Sequence, residues 1–163
     1  MTTITAAEII SHWVAVIEAA MPLSLSGRPY RRLRAPAGEL RRWALQAGGN
    51  DILRLFEIRR NGPRVDPGLQ WPTASYVNQP FLLTLAYAAQ PKLYDLDDIA
   101  ELEDLIAEDA QQLRDLIFGG TGLAGDGHNA SVVEYGAPDR ADPRGVWFMD
   151  LTITAKFFTG QEL

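Results

Sequence analysis

The sequence has 163 residues, 47% hydrophobic and 22% charged, with a formal net charge of -6 and no cysteine. A chain of this length buries roughly two thirds of the surface its unfolded form exposes, enough for a single domain over residues 1–163. Disulfides, thiolate metal sites and cysteine nucleophiles are excluded. The sequence has neither a basic leader nor an apolar run near the roughly 18 residues of a membrane span, so the chain is expected to be assembled inside a cell.

The first element reads as a helix. Thr5 and Glu8 form a Thr-x-x-Glu capping box, and Ile9, Ile10, Trp13, Val14, Val16, Ile17 and Ala20 recur at helical spacing up to Pro22. Residues 23–50 are punctuated by Pro29, Pro36, Gly38, Gly48 and Gly49, which predicts extended structure with strands near Tyr30–Leu33 and Leu40–Leu45. Asp51–Arg60 is rich in Ile, Leu and Phe and short for a helix, so it reads as a strand ended by Asn61-Gly62-Pro63. From there to Pro80 the chain is expected to form a long connection or an extended hairpin arm over 61–80, with Trp71 and Tyr76 as aromatic anchors.

Phe81–Ala88 is apolar on both alternating faces, the mark of a central strand. Leu96–Phe118 carries the clearest helical stripe, through Ile99, Leu102, Leu105, Ile106, Leu113, Leu116 and Ile117, with Asp95, Asp97 and Asp98 at its N-terminal turn and Gly119-Gly120 as the stop. A Gly-rich loop leads to a short strand at Ser131–Tyr135. In Gly145–Phe158 the residues Trp147, Met149, Leu151, Ile153, Ala155 and Phe157 alternate with Phe148, Asp150, Thr152, Thr154 and Lys156, predicting a strand with one buried and one wet face. Strands cluster between helices without βαβ alternation, so the fold class is α+β: a mostly antiparallel sheet with two main helices packed on one face.

Charge is divided along the chain. Residues 1–70 sum to +4 and residues 71–163 to -10. Ten arginines crowd residues 28–64, among them Arg31, Arg32, Arg41 and Arg42, whereas Asp95–Asp115 holds nine acids and one arginine. The arginines follow no core period, so these four positions are expected at a surface that meets a partner. Arg, Trp and Tyr are the residues that dominate protein interfaces, and arginine also contacts phosphate.

Catalytic and cofactor signatures fail on context. Gly120-Thr121-Gly122-Leu123-Ala124-Gly125 matches G-x-G-x-x-G, but it follows a helix and leads to a strand, the reverse of a dinucleotide-binding turn. His12 reads as a helix-packing residue and His128 as a loop residue beside Asp126, two groups that do not make a metal site. The acids Asp97, Asp98, Glu101, Glu103, Asp104, Glu108 and Asp109 lack calcium-loop order and read as the polar side of a helix. Asp150 and Lys156 have the wrong spacing for a nuclease core. No catalytic residue, cofactor or metal is expected, and the chain is expected not to be an enzyme.

The order of an N-terminal helix, a strand group with a long hairpin, a second helix and two final strands, ending in DLTITAKFFTGQEL, resembles the tail terminator (tail completion) proteins of long-tailed bacteriophages. The likeness runs over nearly the whole chain at the level of pattern. It implies a structural virion protein at the head-proximal end of the tail, assembled in the host cytoplasm. Its implied partners are five further copies of itself in a hexameric ring, the tail tube protein and the head-tail connector, with no membrane and no sequence-specific nucleic acid. The alternatives are another neck or tail protein, such as a tube subunit or connector adaptor, and a nucleic-acid-binding accessory protein that uses the Arg-rich 28–64 segment.

Overall fold

A computed structural model describes residues 5–22, 29–34, 38–47, 54–63, 75–118, 128–135, 139–142 and 145–160. Helix α1 (Ala6–Ala19) begins as its sequence predicts. Thr5 Oγ1 accepts from the Glu8 N–H at 3.2 Å, and the Glu8 carboxylate accepts from the Thr5 N–H at 2.7 Å. These reciprocal bonds hold the Glu8 carboxyl below its ordinary pKa, chiefly through the backbone donor. Next come β1 (Arg31–Arg32), α2 (Leu40–Ala47), β2 (Leu55–Arg60), β3 (Ser75–Ala88), a 3₁₀ turn (Pro91–Tyr94), α3 (Ile99–Phe118), β4 (His128–Tyr135), β5 (Asp139–Asp142) and β6 (Val146–Gly160).

The fold is α+β with a mostly antiparallel sheet. Its strand order is β1-β2-β3-β6-β4, with β5 also on β6 and only the β1–β2 pair parallel. The β3–β6 pair runs from Ser75↔Gly160 to Ala88↔Val146 and forms the spine. Since β3 occupies one side of β6, β4 and β5 lie in succession along the other.

Pairing register assigns side chains to faces, because directly opposed residues of adjacent strands point the same way. One face carries Phe56 and Ile58 of β2, Phe81, Leu83, Leu85 and Tyr87 of β3, and Met149, Leu151 and Ile153 of β6, all buried. Helices α1 and α3 cover it, bringing Ile9, Trp13 and Ile17 and Leu102, Leu105, Ile106 and Leu113 respectively. Trp13 meets Phe81 edge-on at 5.1 Å between ring centroids.

The opposite face is covered by α2, a helix where the punctuation by Pro and Gly predicts a strand at Leu40–Leu45. Leu40 and Ala44 are fully buried four residues apart while Arg42 and Leu45 are exposed, a helical stripe that a strand cannot produce. Two strand boundaries also move. Strand β3 starts at Ser75, so residues 75–80 of the expected 61–80 arm are paired with β6, and residues 64–74 lie outside the described residues. Pro80 fits inside this strand because its carbonyl accepts from the Asn61 N–H, so the side on which its N–H is missing is the β2 side, just past the end of β2. His128, expected in a loop, is the first residue of β4. The segments 51–53 and 119–127, with the Gly-rich motif, lie outside the described residues.

A buried ion pair ties these layers together. Arg54 adopts a left-handed conformation (φ 53°) just before β2, and its Nε donates to Asp109 Oδ2 of α3 at 2.7 Å while Nη2 donates to Oδ1 at 3.1 Å. Both side chains are 1% exposed. Tyr87 of β3 donates its hydroxyl to the same Asp109 Oδ2 at 3.0 Å, and the Tyr30 ring lies 5.8 Å from the Arg54 guanidinium. Tyr30 in turn donates to Gln112 Oε1, and Gln112 Nε2 donates to the Met21 carbonyl beyond α1. Burial opposes the charge on Arg54, yet the Asp109 bonds more than offset it and raise its pKa. Burial, then the negative field of Asp109, pushes the Tyr30 and Tyr87 phenols well above the tyrosine range.

Asp109→Ala leaves the Arg54 cation without its partner, and urea denaturation should show a loss of about 3–5 kcal/mol. The double change Arg54→Met and Asp109→Leu should recover most of that loss. Folded Tyr30 and Tyr87 keep their protons where unfolded tyrosines ionise, so stability is complete below about pH 10 and falls as pH rises above it. Urea midpoints measured on either side of that value should show a smaller alkaline loss for Tyr87→Phe than for the parent chain.

Candidate interaction surface

The buried Arg54–Asp109–Tyr87 cluster has the residue types of an active site but no access for a substrate: all three side chains are at most 1% exposed and bonded to each other. Its role is structural. Asp109 was grouped with the polar side of α3, yet it sits on the buried stripe between Ile106 and Leu113. An acid at that spacing already signals a buried cation, since a lone carboxylate there would be prohibitively desolvated.

A second polar cluster lies under α2. Arg41 Nη2 meets Asp150 Oδ2 at 3.1 Å, and the Arg41 guanidinium stands 4.5 Å over the Phe148 ring. Thr84 donates to Asp150 Oδ1 at 2.6 Å, while Glu57 accepts from the Gly38 N–H. Arg41, expected at a partner surface, is therefore engaged within the fold. Asp150 is committed to the same cluster, and Lys156 lies six residues along β6, roughly 20 Å away. The two do not converge on one site.

The other sequence-nominated residues separate. Arg31 and Arg32 are exposed on the two-residue edge strand β1, where Arg31 shares the face of Leu55 and Arg32 that of Phe56. Arg42 is exposed and pairs with Glu39 at 3.5 Å. Tyr76 belongs to β3 opposite Phe158, its side chain lies outside the described residues, and Trp71 lies outside them altogether. His12 is half-buried on α1. Among the described residues no three His, Cys, Asp or Glu side chains gather as a metal site, and no helix is long and apolar enough to cross a membrane.

What the fold does assemble is a groove of about 520 Å³ between α1 and β2. Ala7, Ile10 and Ser11 form one wall, and Ile58, Arg59, Arg60 and Arg32 the other. Arg32 and Arg60 are exposed, and Arg59 Nε is buried with no hydrogen-bond partner among the described residues. Arg32, opposed to Phe56, and Arg60, opposed to Phe81, share the face that α1 covers, whereas Arg59, opposed to Leu82, lines the groove from a residue whose side chain belongs to the other face; no acid is in the lining. Arg59 and Arg60 escaped the sequence-based selection because their meeting with Arg32 depends on the parallel β1–β2 pairing. The arrangement suits capture of carboxylate or phosphate groups, which arginine binds through paired N–H donors, and its Ala7, Ile10 and Ile58 surface suits apolar contact.

Comparison of the sequence with protein-family models and with curated proteins finds no match.

Arg41→Ala should cost about 1 kcal/mol, through loss of a half-exposed ion pair and of the contact with the Phe148 face. Arg41→Glu should cost more, because it sets a carboxylate against Asp150. Urea titration of both variants reads the difference.

Proposed function

We propose that this protein is a structural virion subunit of the tail terminator type, forming a ring that caps a phage tail tube and joins it to the head connector. The observation that carries this reading is the order of elements. A capped helix, the antiparallel β2–β3 pair, helix α3 and the closing strands build one mostly antiparallel sheet, with α1 and α3 together on one of its faces. That order is the one the resemblance implies, with β1, α2 and β5 as additions to it.

The β1 edge of the sheet supports assembly through side chains. Strand β1 is two residues long and presents two exposed arginines, which discourages open-ended strand addition at that edge. A ring requires a contact between two different surfaces of the subunit, and the uneven distribution of charge supplies two unlike surfaces. A second reading, a nucleic-acid-binding accessory protein, is favoured by the acid-free arginine groove. The net charge of -6 weighs against it, because it repels a polyanion over the rest of the surface.

Size-exclusion chromatography with light scattering tests the two readings. The ring reading expects a closed species of six 18.0 kDa chains, alone or on addition of the tube protein. A monomer under both conditions that binds DNA would replace it with the accessory reading.

A further inference from the structure

We infer that the Arg32/Arg60 groove between α1 and β2 receives the acidic face of α3 from a second copy of this chain, in a head-to-tail contact. The inference rests on the ring reading and names the two surfaces that would meet. On α3, Glu101, Asp104, Glu108 and Asp115 are all exposed. Their spacings of three, four and seven residues align them along one side of the helix, away from Leu102, Ile106, Asp109 and Leu113 in the core. The stripe extends over about 21 Å.

The groove complements this stripe in charge and in chemistry. Arg32 and Arg60, both exposed and both on the face that α1 covers, offer forked N–H donors for carboxylates. Ala7, Ile10 and Ile58 give the apolar surface against which the methylene stems of glutamates pack. Among the described residues no ion pair joins Arg32, Arg59 or Arg60 to an acid of α3 in the same molecule. Helix α1 lies over β1 and β2 while α3 lies over β4 and β6, so the two surfaces belong to different flanks of the subunit. A contact between such surfaces is heterologous and propagates around a ring. It is also electrostatically steered, hence weakened by salt, since the Debye length at physiological ionic strength is about 8 Å.

The native chain has no cysteine, which makes disulfide trapping specific. The test uses the full chain carrying Ser11→Cys in the groove and Asp104→Cys on α3, oxidised at low salt and run on a non-reducing gel. The expected result is a ladder of covalent oligomers, absent from either single variant beyond the dimer. In parallel, Arg32→Glu with Arg60→Glu should lower the assembled mass seen by light scattering, and adding Asp104→Lys with Glu108→Lys should restore it. Circular dichroism serves as the folding control for these exposed positions. An assembled species that gives no ladder and ignores the charge reversal overturns the groove–helix contact and leaves the ring reading standing. A chain that stays monomeric with its tube protein present overturns both. Charge reversal that abolishes binding of single-stranded DNA with the assembled mass unchanged assigns the groove to a polyanion and overturns the contact.

Discussion

Arg54 and Asp109 take two charges out of water, at a cost of several kcal/mol per ion, and the rest of the structure is arranged so that this cost is offset. The guanidinium approaches the carboxylate with two donors, Tyr87 adds a third, and the Tyr30 ring borders the cation. Through these four side chains and Gln112, the approach to β1, the start of β2, the end of β3 and the middle of α3 are fixed relative to one another, and the Met21 carbonyl fixes the end of α1. Apolar packing alone is tolerant of small shifts in register. A forked ion pair inside the core is not, because a displaced guanidinium leaves a buried charge uncompensated. The left-handed backbone at Arg54 belongs to the same constraint: its carbonyl still accepts from the Arg31 N–H while its side chain turns toward α3.

The two faces of the sheet are built on different chemistry. Beneath α1 and α3 the contact is aromatic and aliphatic around the Arg54–Asp109 cluster. Beneath α2, a helix of eight residues, Glu57, Thr84 and Asp150 are directly opposed and form one polar row across three adjacent strands. A helix this short is marginal by itself. It is retained by burial of Leu40 and Ala44 and by Arg41, which spans from the helix to Asp150 across the face of Phe148. The wet face expected for β6 is therefore wet only in part: Phe148 is 1% exposed, and Lys156 is exposed.

The polarity of charge along the chain becomes a polarity in space. Strands β1 and β2 bring arginines from two separate sequence stretches beside α1, and α3 displays its acids in a line. Arginines that looked equivalent in sequence have four separate fates. Arg54 is a core ion, Arg41 a fastener for α2, Arg42 a local partner of Glu39, and Arg32 with Arg60 borders a groove. The last pair presents two cations to one incoming surface.

The amino-acid sequence by itself determined what depends on local patterning. The capping box at Thr5 and Glu8, the stripe of α3 from Ile99, the doubly apolar strand at Phe81–Ala88 and the alternation through Gly145–Phe158 are all written in residue types a few positions apart, and together they set the α+β class. Asp109 was read with the acids of the polar side of the helix, and its place on the apolar stripe, like its partner, came from the structure. Only the tertiary structure decided that Arg54 is that partner, that α2 is a helix, that Pro80 lies within a strand, and that Arg32 meets Arg59 and Arg60. Each of these depends on residues distant in sequence: 55 positions separate Arg54 from Asp109, and 109 separate Arg41 from Asp150. Local propensity is blind to such separations, and the energy of desolvating a charge or covering a sheet face becomes defined only when the chain has closed around it.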